Sequence, residues 1–205
     1  MIQIEKARSY GWESAIRGMR NPMNSWEKSD SYYDQHGNYV LGENDLTLMK
    51  KLVGFGTDHR KFMRMITVYA DITAPLYWYK EFDTYKVGTV ANSCSTMHRL
   101  TYKPFEASDF SHEHLDLINK GYLIALINHL NYFREDYNDT KDKNKWWQII
   151  QLLPSSYNQK RTVMMNYEVL HNIYHARKNH KLDEWRKLCA WVETLPYAKD
   201  LICGE

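Results

Sequence analysis

The sequence predicts an α+β protein with a mixed sheet and a helix-rich C-terminal half. One observation is a clean alternation of apolar and polar residues over 64–74, which is typical of a strand. The other is helical periodicity over 109–136 and in most of the chain beyond it. A length of 205 residues suits one domain, and we expect a single domain over 1–205 with a divergent helical segment at about 101–145.

The N-terminal third contains two predicted helices separated by a polar loop. Residues 12–20 suit a short helix, whereas residues 21–39 are rich in turn formers and in Tyr and Trp. Residues 43–53 carry an apolar stripe at helical spacing. Gly54 stands where a C-terminal cap belongs.

The central strand leads directly into a helix. In residues 64–74, one side carries Ile, Val and Ala while the other carries Met, Thr, Tyr and Asp. Pro75 suits the first turn of a helix, which we expect to break near Gly88.

The C-terminal half reads as helices with short connections. A long helix is predicted for 109–136, followed by a solvated connection over 135–145 and a helix that stops at Pro154. Residues 158–177 are predicted as one helix, and 181–194 as another that ends before Pro196.

Composition argues against several classes of protein. A net charge of +2 and a pI near 8.3 are too balanced for a nucleic-acid-binding surface. No apolar run approaches the ~20 residues of a membrane span. The three Cys lack a CxxC spacing, so reduced thiols and a cytoplasmic location are expected, with no structural metal.

The segment TYKVGTVANSCSTMHR, residues 84–99, is the first candidate site. Its backbone amides, its hydroxyls and Arg99 can receive a phosphate, although a capped turn explains the same residues. No GxGxxG or GxxxxGK[ST] motif is present, so standard dinucleotide and P-loop sites receive no support.

Three further patterns have a functional and an ordinary interpretation. Asn166 and Arg177 bracket an apolar helical stripe about three turns long, which suits either a planar ligand or a plain helix with polar ends. Cys94, four residues before His98, is either a nucleophile or a small packed residue. His171 and His175 have a spacing that metals use, but no third ligand stands at a recognisable spacing.

Two segments together resemble the flavin-dependent thymidylate synthases, the ThyX family. The first, HRKFMRMITVYADITAPLYWYKEF, is similar to the family's His-containing approach to a strand that ends in Ala-Pro. The second, LLPSSYNQKRTVMMNYEVLHNIYHAR, is similar to a later segment with Leu-Pro, then Thr and Asn, then Arg at fixed distances. The resemblance covers roughly residues 45–100 and 145–196.

This resemblance implies a ThyX-like fold, a homo-oligomer that is a tetramer in the family, and FAD bound between subunits. It implies methylation of a pyrimidine nucleotide, dUMP to dTMP or a related C5 modification, with methylenetetrahydrofolate and NADPH as co-substrates. Arg177 is implied as the catalytic arginine that orients and activates the pyrimidine. The implied cofactor-binding residues are His59, Tyr85, Lys86, Asn166 and Asn172. The implied substrate-binding residues are Glu81, Asn92, Ser93, Cys94, Ser95 and Arg99.

The departures from the family pattern are also specific. Thr84-Tyr85-Lys86 replaces the family's Arg-His-Arg, and Lys lacks the bidentate fork of Arg. Glu168 stands where the family has Arg, and Ile150 stands where the family has the Arg that grips the nucleotide phosphate. The sequence therefore supports three hypotheses: a flavin-dependent enzyme with a remodelled substrate loop, a non-catalytic nucleotide-binding or assembly protein, and a thiol-dependent nucleotide enzyme that uses Cys94.

Overall fold

The structure is a computed structural model that describes residues 2–204. Its helices are α1 (Trp12–Arg20), α2 (Glu43–Gly54), α3 (Leu76–Phe82), α4 (Leu117–Thr140), α5 (Lys143–Leu152), α6 (Tyr167–Arg177) and α7 (Asp183–Val192). Its strands are β1 (Gln3–Tyr10), β2 (Tyr32–Tyr33), β3 (Tyr39–Val40), β4 (Thr67–Pro75), β5 (Val90–Ser93) and β6 (Asn158–Asn166). Short 3₁₀ turns join several of these, including Arg60–Met65 before β4.

Four strands form one sheet in the order β1-β4-β6-β5. Strand β4 is the predicted one, and the alternation is confirmed because Val68, Ala70, Ile72 and Ala74 are all buried. The separate β2–β3 hairpin is antiparallel and pairs Tyr33 with Tyr39.

The prediction of one helix over residues 158–177 is wrong in its first half. Residues Asn158–Asn166 form β6, and only Tyr167–Arg177 is helical. Gln, Lys, Arg and Met favour helices in isolation, but pairing beside β4 and β5 overrides that weak preference. Asn166 marks the change, because its side-chain oxygen accepts the backbone N–H of Val169 at 2.9 Å and caps α6.

Three other boundaries differ from the sequence prediction. Helix α4 begins at Leu117 instead of residue 109, since Asp116 caps it by accepting the N–H of Asn119. It continues to Thr140, so most of the predicted solvated connection at 135–145 is helical. Helix α3 ends at Phe82, before the expected break near Gly88. Strand β1 is in a segment for which no element was predicted.

The chain divides into two compact units. Unit 1 contains residues 2–3, Ile72–Thr84 and Asn92–Thr162. Unit 2 contains Ile4–Asp71, Tyr85–Ala91 and residues 163–204. The core of unit 1 consists of Leu100, Phe105, Phe110, Leu123, Ile127, Leu130 and Ile149. In unit 2, α6 packs on α7 and on the 3₁₀ turn Arg60–Met65. The expectation of a single domain stays a prediction.

Within residues 2–204, no helix combines the length and the apolar character needed to cross a membrane.

Candidate functional site

A cavity of about 380 Å³ lies in unit 1, beside the segment that comes after β5. Its volume is in the range of about 300–1,000 Å³ that is usual for small-molecule sites. We call it the basic cavity, because three of its side chains are cationic. It is lined by Thr73, Cys94, Ser95, Arg99, Tyr102, Lys103, Tyr157, Asn158, Gln159 and Lys160.

A chain of hydrogen bonds fixes the segment where it leaves β5. The backbone N–H of Cys94 donates to the carbonyl of Lys160 at 2.8 Å, and the Gln159 amide donates to the carbonyl of Cys94 at 2.8 Å. Arg161 in turn donates to the Gln159 side chain at 2.9 Å and to Asp83 at 2.7 Å. One wall of the basic cavity is therefore held in place before any ligand binds, which lowers the cost of ordering it.

Ser95 caps the next turn of the chain. Its hydroxyl oxygen accepts the backbone N–H groups of Met97 at 3.2 Å and His98 at 3.1 Å. A hydroxyl that accepts can still donate its own proton, so the capped turn and a ligand contact are compatible at this residue.

The three cations differ in how far their charge is already compensated. Lys103 forms an ion pair with Asp109 at 2.7 Å. The Arg99 guanidinium lies 4.6 Å from the ring centroid of Tyr102, and within residues 2–204 it pairs with no carboxylate. Lys160 is half-buried in the wall. Arg99 thus brings to the cavity a positive charge that no carboxylate of residues 2–204 pairs with, which suits an anion such as a phosphate.

In unit 2, the junction between β6 and α6 is closely packed against Gly88. Gly88 has a φ of +78°, and a Cβ atom there would stand 2.5 Å from the Asn166 amide nitrogen. Glycine is required on both counts, because the backbone is left-handed and the Asn166 side chain leaves no room. The loop after Tyr85 therefore packs directly against the capping Asn166.

Arg177 ends the same helix and is held by aromatic side chains. Its Nε donates to the Tyr85 hydroxyl at 3.0 Å, and its guanidinium lies 5.0 Å from the ring centroid of the buried Trp185. The indole ring attracts the guanidinium and the hydrogen bond to Tyr85 orients it, while its charge is retained. The structure thus brings together Tyr85 and Arg177, for which the sequence implied separate roles.

The charge reversal at Glu168 is balanced inside unit 2. Glu168 is buried and forms a close ion pair with Arg64, and its other oxygen lies 3.6 Å from Nε of Arg60. Both arginines come from the 3₁₀ turn Arg60–Met65. The negative charge of Glu168 on α6 is thus balanced by the positive charges of the 3₁₀ turn, so the buried carboxylate is paired.

Arg60 also contacts His171 and Asn172 of α6, two residues that the sequence analysis singled out. Arg60 lies 3.3 Å from Nε2 of His171 and 3.4 Å from the Asn172 side-chain oxygen. Burial first, then the charges of Arg60 and His175, lower the pKa of His171 to about 4. Its imidazole is therefore neutral near pH 7, and its buried Nδ1 has no hydrogen-bond partner in the described part of the chain.

We expect the stability of the protein to fall on acidification because of His171. Its folded-state pKa of about 4 is below the ordinary 6.5, so the unfolded state binds more protons between these values and stability is lost as the pH falls through this window. Because His171 is only partly buried, solvent screening reduces the loss to about 1–2 kcal/mol. Urea unfolding of His171→Gln should show a shallower pH dependence between pH 7 and 4 than the wild type. The exposed His98→Gln control should keep the wild-type slope, and an unchanged slope in His171→Gln would contradict the assignment.

The remaining predicted residues lie outside the basic cavity. Asn92 and Ser93 are exposed on β5, and Lys86 is exposed before it. His59 is also exposed, with its ring 5.6 Å from that of Phe55. Glu81 is half-buried on α3.

The sequence interpretation missed Gln159, Lys160 and Arg161, which were assigned to a helix. It also missed Arg60 and Arg64. Glu168 was the signal that could have revealed both arginines. A buried carboxylate requires a cationic partner, and Arg60 and Arg64 supply it.

The thiol and metal hypotheses gain no geometric support from the described part of the chain. Cys94 is exposed, and no hydrogen bond within residues 2–204 joins its thiol to His98. The ring centroids of His171 and His175 are 4.4 Å apart. Residues 2–204 nevertheless contain no group of three His, Cys, Asp or Glu side chains that could hold a metal ion.

Comparison with known proteins identifies the fold. No protein-family model and no curated protein matches the sequence. Two structures of the flavin-dependent thymidylate synthase ThyX from Helicobacter pylori with FAD and dUMP match with TM-scores of 0.69 and 0.70, each at 17% identity, covering 98% of this chain and 97% of that chain. A UMP/dUMP methylase, PolB, from Streptomyces cacaoi bound with 5-Br dUMP matches with a TM-score of 0.60 at 13% identity, covering 97% and 91%. The chain therefore has the ThyX fold, as expected from the sequence.

Proposed function

We propose that the protein is a flavin-dependent enzyme that methylates C5 of a pyrimidine nucleotide, with dUMP as the first candidate substrate. The observation that carries this proposal is the basic cavity. Cys94, Ser95 and Arg99 come from the segment that stands in place of the family's binding motif, and they line one cavity with two lysines. A cationic cavity of this size suits a nucleotide phosphate.

We assign the phosphate to the basic cavity. The family's Arg before Leu-Pro is Ile150 here, so another cation has to offset the desolvation of a phosphate. Arg99 supplies a guanidinium without a carboxylate partner in the described chain, and Lys160 adds a second charge from β6. The Ser95 hydroxyl can donate a further hydrogen bond.

We assign the pyrimidine to Arg177. A guanidinium stabilises the negative charge that develops on a uracil carbonyl oxygen when C5 attacks an electrophilic carbon. Tyr85 and Trp185 hold the guanidinium in a fixed orientation, so little reorganisation is needed during the reaction. The resemblance implies a homotetramer that binds FAD between subunits.

The residues of unit 2 fit a bound flavin. The Thr89 hydroxyl and Nδ1 of His171 are buried and have no hydrogen-bond partner among residues 2–204, and such atoms are costly unless a ligand or water satisfies them. His59, Tyr85, Lys86, Asn166 and Asn172 are the side chains proposed to hold FAD. The chemistry supplied by bound FAD is hydride transfer that completes the methyl group, with methylenetetrahydrofolate as carbon source and NADPH as reductant.

The absorption spectrum of the purified protein with and without added FAD tests this cofactor assignment. We expect a flavin band that stays with the protein on gel filtration and bleaches on addition of NADPH. Nucleotide binding without any flavin uptake would contradict the proposed flavin-dependent activity and favour a nucleotide-binding or assembly protein.

Replacing Arg99 with Ala should weaken dUMP binding by about 10- to 100-fold, since a charged hydrogen bond to phosphate contributes about 1.5–3 kcal/mol. Titration calorimetry at fixed salt measures this directly. Lys143→Ala removes an exposed cation from α5 of the same unit and should leave the affinity unchanged. Equal losses in the two variants would indicate non-specific charge attraction and contradict a phosphate site in the basic cavity.

A further inference from the structure

A second cavity, of about 300 Å³, lies in unit 2 between α1 and the residues that precede α2. We call it the aromatic cavity. Its lining includes Glu13, Arg17, Trp26, Tyr32, Tyr33 and Tyr39. A neighbouring cavity of about 570 Å³ shares Glu13, Tyr33 and Tyr39 with it, so these three side chains form a wall between two spaces. None of these residues belongs to the site proposed above.

The loop that forms this cavity is firmly held, although its sequence is polar and turn-rich. Arg20 and Asp45 form a buried ion pair at 2.6 Å. Arg20 also donates to the carbonyls of Ser25 and Lys28, and Asp45 accepts hydrogen bonds from residues 29–31. The guanidinium of Arg20 is therefore used in scaffolding, and the cavity is formed in advance of binding.

This scaffold presents aromatic rings to solvent. Trp26 is 49% exposed, and Tyr32 and Tyr33 are each 58% exposed. The indole N–H of Trp26 donates to Asn21 at 2.8 Å, and the rings of Tyr33 and Tyr39 meet edge to face at 4.9 Å. Rigid aromatic side chains provide contact area at a low entropy cost, and their faces stack on flat rings.

The cavity has one exposed anion, Glu13, and one exposed cation, Arg17, in its lining. The Glu13 carboxylate already accepts the Tyr33 hydroxyl at 3.1 Å. Arg17 is exposed on α1 and, within residues 2–204, pairs with no carboxylate. An anionic group can pair with this guanidinium, whereas the Glu13 carboxylate keeps its charge and is engaged by the Tyr33 hydroxyl.

We propose that the aromatic cavity binds a planar aromatic ligand that carries an anionic group. The ring stacks among Trp26, Tyr32 and Tyr33, and the anion pairs with Arg17. The anionic group can be the phosphate of a nucleotide or the carboxylate of an aromatic acid, and the experiment separates the two.

Titration calorimetry with AMP and with 2-naphthoate tests the proposal, with choline as a cationic probe of opposite sign. We expect saturable binding of at least one anionic probe, weakened about tenfold or more by Arg17→Ala and by Trp26→Ala. AMP alone identifies a nucleotide source, and 2-naphthoate alone identifies an aromatic acid. Lys187→Ala and Trp147→Ala, which remove an exposed cation from unit 2 and an exposed indole from unit 1, are the matched controls and should bind normally.

Two features keep the test decisive. If AMP binds in the basic cavity, its affinity is unaffected by Trp26→Ala. Unchanged affinity in both Arg17→Ala and Trp26→Ala would therefore overturn the proposal. Binding of neither anionic probe at millimolar concentration, or binding of choline instead, would also overturn it. Tyr32→Ala removes another exposed ring and replaces Trp26→Ala if that variant does not fold.

Discussion

Replacing Asp45 with Ala is expected to lower the free energy of unfolding by about 3–5 kcal/mol, because it leaves the Arg20 charge buried without its partner. Asp45 also accepts hydrogen bonds from the Ser29 and Ser31 hydroxyls, each at 2.7 Å. Burial by itself would raise the pKa of Asp45, but the hydrogen bonds from Ser31, Ser29 and Arg20 outweigh burial and lower it. The ionised carboxylate is therefore the form that stabilises the loop.

Urea unfolding followed by circular dichroism measures this loss. Asp139→Ala removes an exposed carboxylate from α4 and should change stability by less than about 0.5 kcal/mol. A loss in Asp45→Ala no larger than that of the control would show that the ion pair does not support the loop. The same result would contradict the proposal that the Arg20–Asp45 pair forms a rigid scaffold for the aromatic cavity.

Replacing Arg177 with Ala is expected to lower kcat for nucleotide methylation by about 10²–10³-fold, the usual effect of removing a group that stabilises developing negative charge. Arg177→Lys should not restore activity, because an ammonium lacks the planar fork that Tyr85 and Trp185 hold in place. Tyr85→Phe keeps the ring but removes the hydrogen bond to Nε, and we expect it to have a smaller effect.

Steady-state kinetics distinguish this role from simple binding. If Arg177 acts in the transition state, kcat falls while KM for the nucleotide changes little. Lys181→Ala, an exposed cation that lies between α6 and α7, serves as the control and should keep full activity. A normal kcat in Arg177→Ala would contradict the catalytic assignment.

The parts of the fold that the sequence predicted well are those with strong, uninterrupted periodicity. Strand β4 alternates strictly and enters α3 at Pro75, so pattern and structure agree. Strand β6 was missed because Gln159, Lys160, Arg161 and the two methionines also favour helices, and only its sheet neighbours decide the outcome.

The candidate site shows the same division. Cys94, Ser95 and Arg99 were found because they are local in sequence, and they do line one cavity. Their support from Gln159 and Arg161 depends on strand pairing about 65 residues away in the chain, which no local pattern reveals. Likewise, Glu168 looked like a lost contact, whereas the fold supplies Arg64 as its partner.

The most direct test of the proposed function is release of tritium from dUMP labelled at C5, measured with FAD, NADPH and methylenetetrahydrofolate. Methylation replaces the C5 hydrogen, so we predict release into water that requires all three and that is lost in Arg177→Ala. A protein that binds both FAD and dUMP but releases no tritium would contradict a methylating enzyme.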